Sequence, residues 1–441
     1  MNLTPKKIVS YLDEYIIGQF NAKKAIAIAL RNRYRRLQLT DEMAEEVMPK
    51  NILMIGSTGV GKTEIARRMA KMLSLPFVKV EASKYTEVGF VGRDVESMVR
   101  DLMLASMNLV KAEHKEKNKD AIALHVEKNI IEKLLPPLPK GASEEKKADY
   151  EKSFEKMRQK FQDGELDLLK IEVEITQGSS DLGDSSLPPE MIKVQESFMK
   201  ILGSSQSSIK KEMSVKEAKE ALALESSEKL LDMEVIKSEA RDRAQNGGII
   251  FIDEIDKIAV SSSMAHRSDP SKEGVQRDLL PIVEGSDVNT KYGSIKTDHI
   301  LFISAGAFHL SKPSDLIPEL QGRFPLRVEL SSLTEEVLYQ ILTQPKNSLL
   351  RQYQALLKTE GVTLIFEDEA IRSIAKIAQL TNEKTEDIGA RRLHTVIEKV
   401  LEDISYTADE RSGESIHVTA ELVHEKLDAI VQNEDSSRYI L

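Results

Sequence analysis

A glycine-rich run of eight residues has the types and spacing needed to hold phosphate groups. Its members fit the pattern G-x-x-x-x-G-K-[ST] and are Gly56, Ser57, Thr58, Gly59, Val60, Gly61, Lys62 and Thr63. The glycines let backbone N–H groups close around phosphate oxygens, and the start of the following helix adds positive potential. Lys62 would reach the β and γ phosphates, and Thr63 would ligate Mg²⁺. The run therefore predicts a site for a nucleoside triphosphate with Mg²⁺.

Two carboxylates close an apolar segment further along the chain. Ile249 to Ile252 supplies four apolar residues, as in a buried parallel strand, and Asp253 and Glu254 follow. Ligands of open α/β sheets bind at the carboxyl ends of the strands, so we expect Asp253 to help hold Mg²⁺ and Glu254 to polarise the attacking water. Together with the glycine-rich run, this pair predicts hydrolysis of the β–γ bond.

The elements around these residues follow the order strand, glycine-rich turn, helix, strand. Apolar segments predict strands over residues 51–55, 77–81, 249–252, 299–304 and 326–330. Two helices are expected in the first 40 residues, the first with Thr4 as its N-cap and Pro5 at its first position. This order is typical of an α/β P-loop domain with a parallel sheet, which we assign to residues 1–108 and 242–330.

A long charged segment separates the two parts of that domain. Residues 109–241 are rich in charges and contain proline and Gly/Ser clusters, so we expect a mostly helical insertion with one short two-faced strand at 170–175. Helical periodicity dominates residues 331–441, where Ser332 and Glu335 are expected to form a capping box. A mainly helical C-terminal domain completes the predicted architecture.

The composition excludes several classes of protein. The chain has 441 residues, 62 basic and 72 acidic, a net charge of −10, and no cysteine. Disulfides, cysteine-based zinc sites and thiol catalysis are therefore excluded. The apolar runs are too short to cross a bilayer, and the N-terminus lacks the apolar core of a signal peptide. We expect a soluble, cytoplasmic protein.

One basic stretch, Arg31 to Arg36, stands out against the acidic balance. Its cations lie near the end of a predicted helix over residues 21–38 and fit a solvated helix face. A patch for nucleic acid is the alternative, which the overall negative charge disfavours. The eight histidines match no metal-ligand spacing, and no Ser-His-Asp arrangement indicates a protease site in this chain.

Three segments together resemble the AAA+ unfoldases of the Clp/Hsp100 group. They are Gly248 to Ile258 (GIIFIDEIDKI), Ile16-Ile17-Gly18-Gln19, and Pro318 to Arg323 (PELQGR). Within that group the chain is similar to the HslU family, also called ClpY, over essentially its whole length. The resemblance implies an ATP-driven unfoldase that forms a ring of six subunits. Such a ring would pass unfolded or tagged proteins to a separate threonine peptidase of the HslV type.

The resemblance also assigns roles to residues beyond the glycine-rich run. Arg323 resembles the arginine finger that reaches the neighbouring subunit's nucleotide, where it would stabilise charge on the transferring phosphoryl group. Glu319 matches a position near the subunit interface. Arg391, within Gly389-Ala390-Arg391-Arg392, resembles the sensor-2 residue that contacts the nucleotide from the C-terminal domain.

Other matched positions concern the base, the phosphates and the partners. Ile16 and Ile17 would pack on adenine, and Ser304 is a weaker candidate for the polar sensor-1 position. The loop Gly89, Phe90, Val91 and Gly92 matches the pore loop that grips substrate, with Phe90 where the family usually has Tyr. The tail Arg438, Tyr439, Ile440 and Leu441 resembles the segment that docks on the peptidase.

Two other functions remain open from the sequence. A ClpX-like unfoldase would serve a different peptidase, but that group typically carries a four-cysteine zinc module, which this chain lacks. The long separation between Lys62 and Asp253 also favours the HslU group. A P-loop motor on nucleic acid has the basic stretch Arg31 to Arg36 as its only support.

Overall fold

The computed structural model describes residues 4–47, 50–86, 92–136, 144–176, 208–260 and 270–432. The chain divides into two compact units. The first comprises Met1–Leu102, Ala244–Val288 and Ile295–Leu441, and the second comprises Met103–Arg243 and Asn289–Ser294. Within the described part of the chain, no helix combines the length and the apolar character needed to span a membrane.

Strands are numbered here in chain order. They are β1 Ile52–Ile55, β2 Phe77–Glu81, β3 Lys170–Thr176, β4 Ser208–Ser214, β5 Ile249–Asp253, β6 Asp287–Thr290, β7 Gly293–Lys296, β8 Leu301–Gly306, β9 Leu326–Glu329, β10 Thr363–Phe366 and β11 Ser415–Val418. Five of them form one sheet in the order β2-β5-β8-β1-β9, with every pairing parallel. The expected α/β P-loop fold with a parallel sheet is therefore confirmed.

The α-helices lie between and after these strands. They are Pro5–Asp13, Phe20–Arg36, Asp41–Glu46, Lys62–Met72, Ser97–Lys117, Lys119–Leu134, Glu144–Gln162, Val215–Leu230, Met233–Gly247, Pro270–Glu284, Pro318–Arg323, Glu335–Thr343, Leu349–Lys358, Asp368–Lys384, Arg391–Tyr406 and Ala420–Gln432. Thr4 caps the first helix as expected, since its hydroxyl accepts from the Lys7 N–H at 3.4 Å.

Burial explains why the sheet forms where it does. The four apolar residues of β5 and the first three of β8 are fully buried, as expected for central parallel strands covered on both faces. The expected strand over 299–304 is shifted, because the Ile300 N–H bonds to the Thr297 carbonyl in a turn and β8 begins only at Leu301. The strand then continues two residues beyond Ser304, to Gly306.

The C-terminal residues have a hydrophobic cluster of their own. It gathers buried side chains from the helices after residue 334 and from the parallel pair β10 and β11. The predicted capping box at Ser332 is wrong: the helix Glu335–Thr343 has Thr334 as its N-cap, and the Thr334 hydroxyl accepts from the Val337 N–H. Ser332 lies too far before the helix to cap it.

The second unit contains helices around an antiparallel hairpin. β3 pairs with β4 from Lys170 opposite Ser214 to Thr176 opposite Ser208. Buried residues of β3, β4 and the helices Lys119–Leu134 and Val215–Leu230 form its hydrophobic cluster. The expected strand at 170–175 is present and has this partner, which the sequence analysis did not identify.

The basic stretch Arg31 to Arg36 is a solvated face only in part, because Arg35 is exposed whereas Arg33 and Arg36 are not. Arg33 is buried and donates to the carbonyls of Gly248 and His299 at 2.9 and 2.5 Å. Arg36 is also buried and donates to the Ala44 carbonyl and the Asn246 side chain. Burial, reinforced by the Arg36 charge, lowers the pKa of Arg33 to about 9, so its guanidinium remains charged at neutral pH. Two of these cations therefore tie backbone segments together instead of facing solvent or phosphate.

Candidate active site

The glycine-rich run forms a tight loop between β1 and the helix that starts at Lys62. Gly59 and Gly61 have φ of 78° and 101°, in the left-handed region that favours glycine. A Cβ added to Gly59 would lie 2.0 Å from the Ile388 carbonyl oxygen, so any larger residue would clash with backbone. Both positions therefore require glycine, Gly59 because of its close backbone neighbour and Gly61 because of its φ.

Lys62 lies within this loop and is mostly buried. Its ammonium donates to the Gly56 carbonyl and, at 2.7 Å, to the Ser57 carbonyl. Burial lowers the pKa of Lys62, the carboxylates of Asp253 and Asp256 oppose that shift, and the Arg391 guanidinium adds to it. Several charges therefore converge on the place where phosphates of a nucleotide would bind.

Thr63 and Asp253 come together across the carboxyl edge of the sheet. The Thr63 hydroxyl lies 3.5 Å from Asp253 Oδ2, and the same oxygen pairs with the Lys79 ammonium at 2.8 Å. A hydroxyl and a carboxylate are hard oxygen ligands, which Mg²⁺ prefers when phosphate and water fill its other positions. The donor set therefore fits Mg²⁺.

Glu254 has a strained backbone and a side chain held at one oxygen. Its φ of 57° is left-handed, which costs a residue other than glycine roughly 1–3 kcal/mol. Its Oε2 accepts from the Ser83 hydroxyl at 3.2 Å and pairs with the Lys257 ammonium at 2.8 Å. The hydrogen bond to Glu254 is the main reason that the pKa of Lys257 is raised. Among the residues that the structure describes, none bonds to Oε1, so this oxygen could accept from a water molecule.

Lys79, Ser83 and Lys257 were missed by the sequence analysis. Lys79 lies on β2 and Ser83 in the short 3₁₀ turn Ala82–Lys84 that follows it. Both reach the carboxylates only because β2 pairs directly with β5, Glu81 being opposite Asp253. The order of strands in the sheet, which the sequence did not give, is the signal that would have identified them.

A C-terminal segment closes directly on the glycine-rich loop. The Ala390 N–H donates to the Gly59 carbonyl at 3.2 Å. Arg391 follows at the start of a helix and its side chain is exposed. Its positive charge contributes to lowering the pKa of Lys62. The next residue, Arg392, is buried and bonds to Asn382, Thr385 and the Glu386 carbonyl. Arg392 thus shapes the segment that brings Arg391 to the loop.

Ile16 also lies beside the loop. Its Cγ2 is 3.9 Å from the position of a Cβ on Gly61, and it shares a hydrophobic cluster with Val60. Its carbonyl accepts from the Lys23 ammonium, a fully buried charge that also pairs with Asp13. Ile17 is half-buried.

Ser304 lies inside β8 and not at its end. It is fully buried, pairs in register with Ile252, and has no hydrogen-bond partner for its hydroxyl among the described residues. Because β8 extends to Gly306, two further residues separate Ser304 from the edge where the carboxylates lie.

Arg323 and Glu319 are not brought to the glycine-rich loop. The Asn51 side chain donates to the Arg323 carbonyl at 3.1 Å, and Asn51 precedes β1 whereas Gly56 follows it. Arg323 therefore lies at the opposite end of the sheet, roughly 13 Å away along four strand residues. Its guanidinium pairs with Glu284 at 2.9 Å. Glu319 is exposed on the same short helix.

Two sets of predicted residues fall partly or wholly outside the described part of the chain. The expected pore loop lies outside it at Gly89, Phe90 and Val91. The expected docking tail, Arg438 to Leu441, lies outside it entirely. Gly92 is described: a Cβ on it would lie 2.1 Å from the Thr86 hydroxyl. Tyr85 and Arg93 form an isolated bridge beside it.

The fold and the site together define a P-loop ATPase of the AAA+ class. Its glycine-rich loop follows β1, its two carboxylates lie at the carboxyl end of β5, and a C-terminal segment contacts the loop. Family models agree: residues 52–118 match the ATPase family associated with various cellular activities (AAA). Residues 173–327 match the AAA domain (Cdc48 subfamily), and residues 333–408 match the C-terminal, D2-small domain of ClpB protein.

Curated relatives define the family more narrowly. The chain is 66% identical over 441 residues to the ATP-dependent protease ATPase subunit HslU of Campylobacter jejuni subsp. jejuni, covering all of both chains. It is 66% identical to the HslU of Helicobacter pylori, covering all of this chain and 99% of that one. The chain belongs to the HslU family of ATPases.

Proposed function

We propose that the protein is the ATP-driven unfoldase and translocase of a two-component protease, and that it feeds substrates to an HslV-type threonine peptidase. The observation that carries this proposal is the full-length identity of 66% to proteins named as ATPase subunits of an ATP-dependent protease. The contact of Ala390 with Gly59 supports it, because nucleotide at the loop would then influence the position of the C-terminal helices.

The phosphate chemistry is assigned to four residues of this chain. Lys62 moves from the carbonyls it now contacts to the β and γ phosphates, which offer it stronger charge-assisted hydrogen bonds. Thr63 and Asp253 would hold Mg²⁺, which neutralises phosphate charge when bound. Glu254, fixed at Oε2 by Ser83 and Lys257, orients and polarises the attacking water with its other oxygen.

Arg323 is assigned to a neighbouring subunit's site. Its place at the far end of the sheet supports this, because it cannot act on the nucleotide of its own chain. Catalysis then depends on assembly, and we propose a hexameric ring in which Arg323 stabilises the phosphoryl group across each interface. Glu319, on the same helix, would lie at that interface.

The rest of the nucleotide is assigned to residues around the loop. Ile16 and Ile17 would form an apolar surface for adenine, and the contact of Ile16 with the loop supports this role. Arg391 would contact the phosphates from the C-terminal part of the chain, which its charge effect on Lys62 supports.

The substrate and peptidase contacts are assigned by family resemblance. Phe90, in the loop Gly89 to Gly92, would grip unfolded protein in the pore of the ring. Arg438 to Leu441 would dock on the peptidase. We assign residues 1–108 and 242–330 to the ATPase core, 109–241 to the insertion and 331–441 to the C-terminal domain. A compact second unit over Met103–Arg243 supports the insertion, and we place the protein in the cytoplasm.

One experiment tests the proposal directly. An HslV-type peptidase is mixed with ATP and either the full-length protein or a form lacking Ser436 to Leu441, and cleavage of a short peptide is measured. We expect strong stimulation by the full-length form and little by the truncated one. Equal stimulation by both would refute the docking role, and stimulation by neither would refute the partnership. The support for a motor on nucleic acid is weakened, since two of the four arginines in that stretch, Arg33 and Arg36, are buried.

A further inference from the structure

Gln19 makes an unusual connection between two distant parts of the chain. Its side-chain Nε2 donates to the Ser331 carbonyl at 2.8 Å, and its Oε1 accepts from the Ser331 N–H at 3.0 Å. One side chain thus satisfies both backbone groups of a residue 312 positions away. Ser331 lies between the end of β9 and the helix capped by Thr334, where the chain leaves the α/β core for the C-terminal helices.

The backbone of Gln19 indicates that its side chain is needed. Its φ is 55°, in the left-handed region that glycine adopts at no steric cost. Gly18, one residue earlier, has a φ of 67°. A glycine at position 19 would form the same turn with less strain, but it would lack the amide that reaches Ser331.

The turn before Gln19 is the one that brings Ile16 to the glycine-rich loop. Two further contacts hold this turn. The buried Lys23 ammonium bonds to the Ile16 carbonyl, and Lys346 bonds to Glu14 through both its ammonium, at 2.6 Å, and its backbone N–H, at 3.2 Å. The turn is therefore fixed at one end by Lys346 and at the other by Ser331. Both partners follow β9, which is the last strand of the five-stranded sheet along the chain.

We propose that Gln19 is a positioning residue. It couples occupancy of the base site to the position of Ser331, where the chain leaves the α/β core for the C-terminal helices. The inference rests on the proposed base-binding role of Ile16 and Ile17. A base packed on that turn pushes on Gln19, and the amide transmits the displacement to the backbone of Ser331. This is a second path from nucleotide to the C-terminal helices, separate from the contact between Ala390 and Gly59.

The matched substitution is Gln19→Asn. Asparagine tolerates left-handed backbone better than most residues and keeps the amide, but it is one methylene too short to reach Ser331. Gln19→Glu keeps the length and the acceptor but loses the donor. Gln38→Asn is the control, because Gln38 is exposed and its side-chain amide donates to the neighbouring Leu37 carbonyl and not to a distant segment.

Two readouts separate coupling from mere structural support. The first is ATPase kinetics: Gln19→Asn should raise KM for ATP about tenfold, the effect of losing two hydrogen bonds of modest net strength, with kcat changed less than twofold. Gln19→Glu should give an intermediate KM. The split is expected because the base turn is loosened while Lys62 and Glu254 remain in place.

The second readout is a distance. The chain has no cysteine, so Lys71→Cys and Lys358→Cys, both at exposed positions, can carry spin labels in rings diluted with excess unlabelled protein. In the parent protein a non-hydrolysable ATP analogue should change the label distance relative to ADP. Gln19→Asn should remove at least half of that change at saturating nucleotide, and Gln38→Asn should keep all of it.

The outcomes are distinct. A full parental distance change and an unchanged KM in Gln19→Asn would overturn the inference, whatever happened to its melting temperature. An absent distance change in the parent would overturn it too, yet normal ATP turnover there would leave the proposed function standing. If the parent protein neither bound nor hydrolysed ATP, both the inference about Gln19 and the proposed function would be refuted.

Discussion

The backbone N–H of Ala390 donates to the carbonyl of Gly59 at 3.2 Å, joining the C-terminal segment to the middle of the phosphate-binding loop. Gly389 reinforces the contact, since a Cβ on it would lie 2.7 Å from the Thr58 carbonyl oxygen. Two glycines from distant segments therefore pack backbone against backbone. This is a direct backbone link between the phosphate-binding loop and the segment that precedes the helix Arg391–Tyr406, so we expect a rearrangement of the loop to reach that helix.

The first prediction concerns that contact. Gly59→Ala adds a methyl group 2.0 Å from the Ile388 carbonyl oxygen in addition to left-handed strain, so we expect it to lower the free energy of unfolding by about 2–4 kcal/mol and to abolish ATP binding. Gly413→Ala is the matched control, because Gly413 has a φ of 89° and nothing within 4 Å of its added Cβ. It should cost only about 1 kcal/mol and bind ATP normally. Urea unfolding and equilibrium nucleotide binding measure both, and similar losses in the two variants would contradict the role of the contact.

Local sequence patterns were sufficient to predict much of this fold. The apolar run of β5 and the glycines before Lys62 are short, contiguous signals whose physical reasons lie within the segment itself. Even there, boundaries moved: Thr334 and not Ser332 caps the next helix, because the last residue with extended backbone before the first helical turn takes that role.

Contacts between distant segments could not be predicted in the same way. Arg33 looks like a solvated cation in sequence, and only the fold places the Gly248 and His299 carbonyls within reach of it. Likewise, nothing in the sequence distinguishes Ser83 from other serines. Its hydroxyl reaches Glu254 because β2 pairs with β5. A single sequence carries the local preference of each residue, but it does not state which strands are neighbours.

The second prediction concerns the hydrolytic carboxylate. Glu254→Gln preserves the size of the side chain and an oxygen that accepts from Ser83, but it removes the negative charge that polarises water. We expect ATP to bind within about threefold of the parental affinity and kcat to fall roughly 10²- to 10⁴-fold, the range for losing a general base. Phosphate release under steady-state conditions measures the rate, and Glu360→Gln, at an exposed carboxylate away from the phosphate-binding loop, checks the effect of losing a carboxylate elsewhere. Turnover within twofold of the parent would remove Glu254 from its role.

The third prediction tests action across subunits. Arg323→Ala alone should lower kcat about 10³-fold, as removal of an arginine finger does in other nucleotide hydrolases. Because Arg323 lies at the far end of its own sheet, a ring that mixes Arg323→Ala with Glu254→Gln subunits should regain activity. In such a ring some sites combine an intact Glu254 with an intact Arg323 from the neighbour. No regain on mixing, once exchange of subunits is demonstrated, would mean that Arg323 does not act in trans.

The last prediction separates two arginines of one helix. Arg33 donates to two carbonyls in a buried setting, so Arg33→Ala leaves those acceptors unsatisfied and opens a cavity. We expect it to lower the free energy of unfolding by about 3–5 kcal/mol, the combined cost of the cavity and of two buried carbonyls that lose their donor. Arg35→Ala should change stability by less than about 0.5 kcal/mol, because Arg35 is exposed and, among the described residues, its side chain bonds to Asn32 alone. Arg33→Lys keeps a charge but not the fork that spans both carbonyls, so it should recover only part of the loss. If nucleic acid were the partner of this stretch, Arg35→Ala would weaken binding of a labelled duplex while stability stayed the same. We expect no measurable binding by either the parent or the variant, because the chain has a net charge of −10 and two of the four arginines in the stretch are buried.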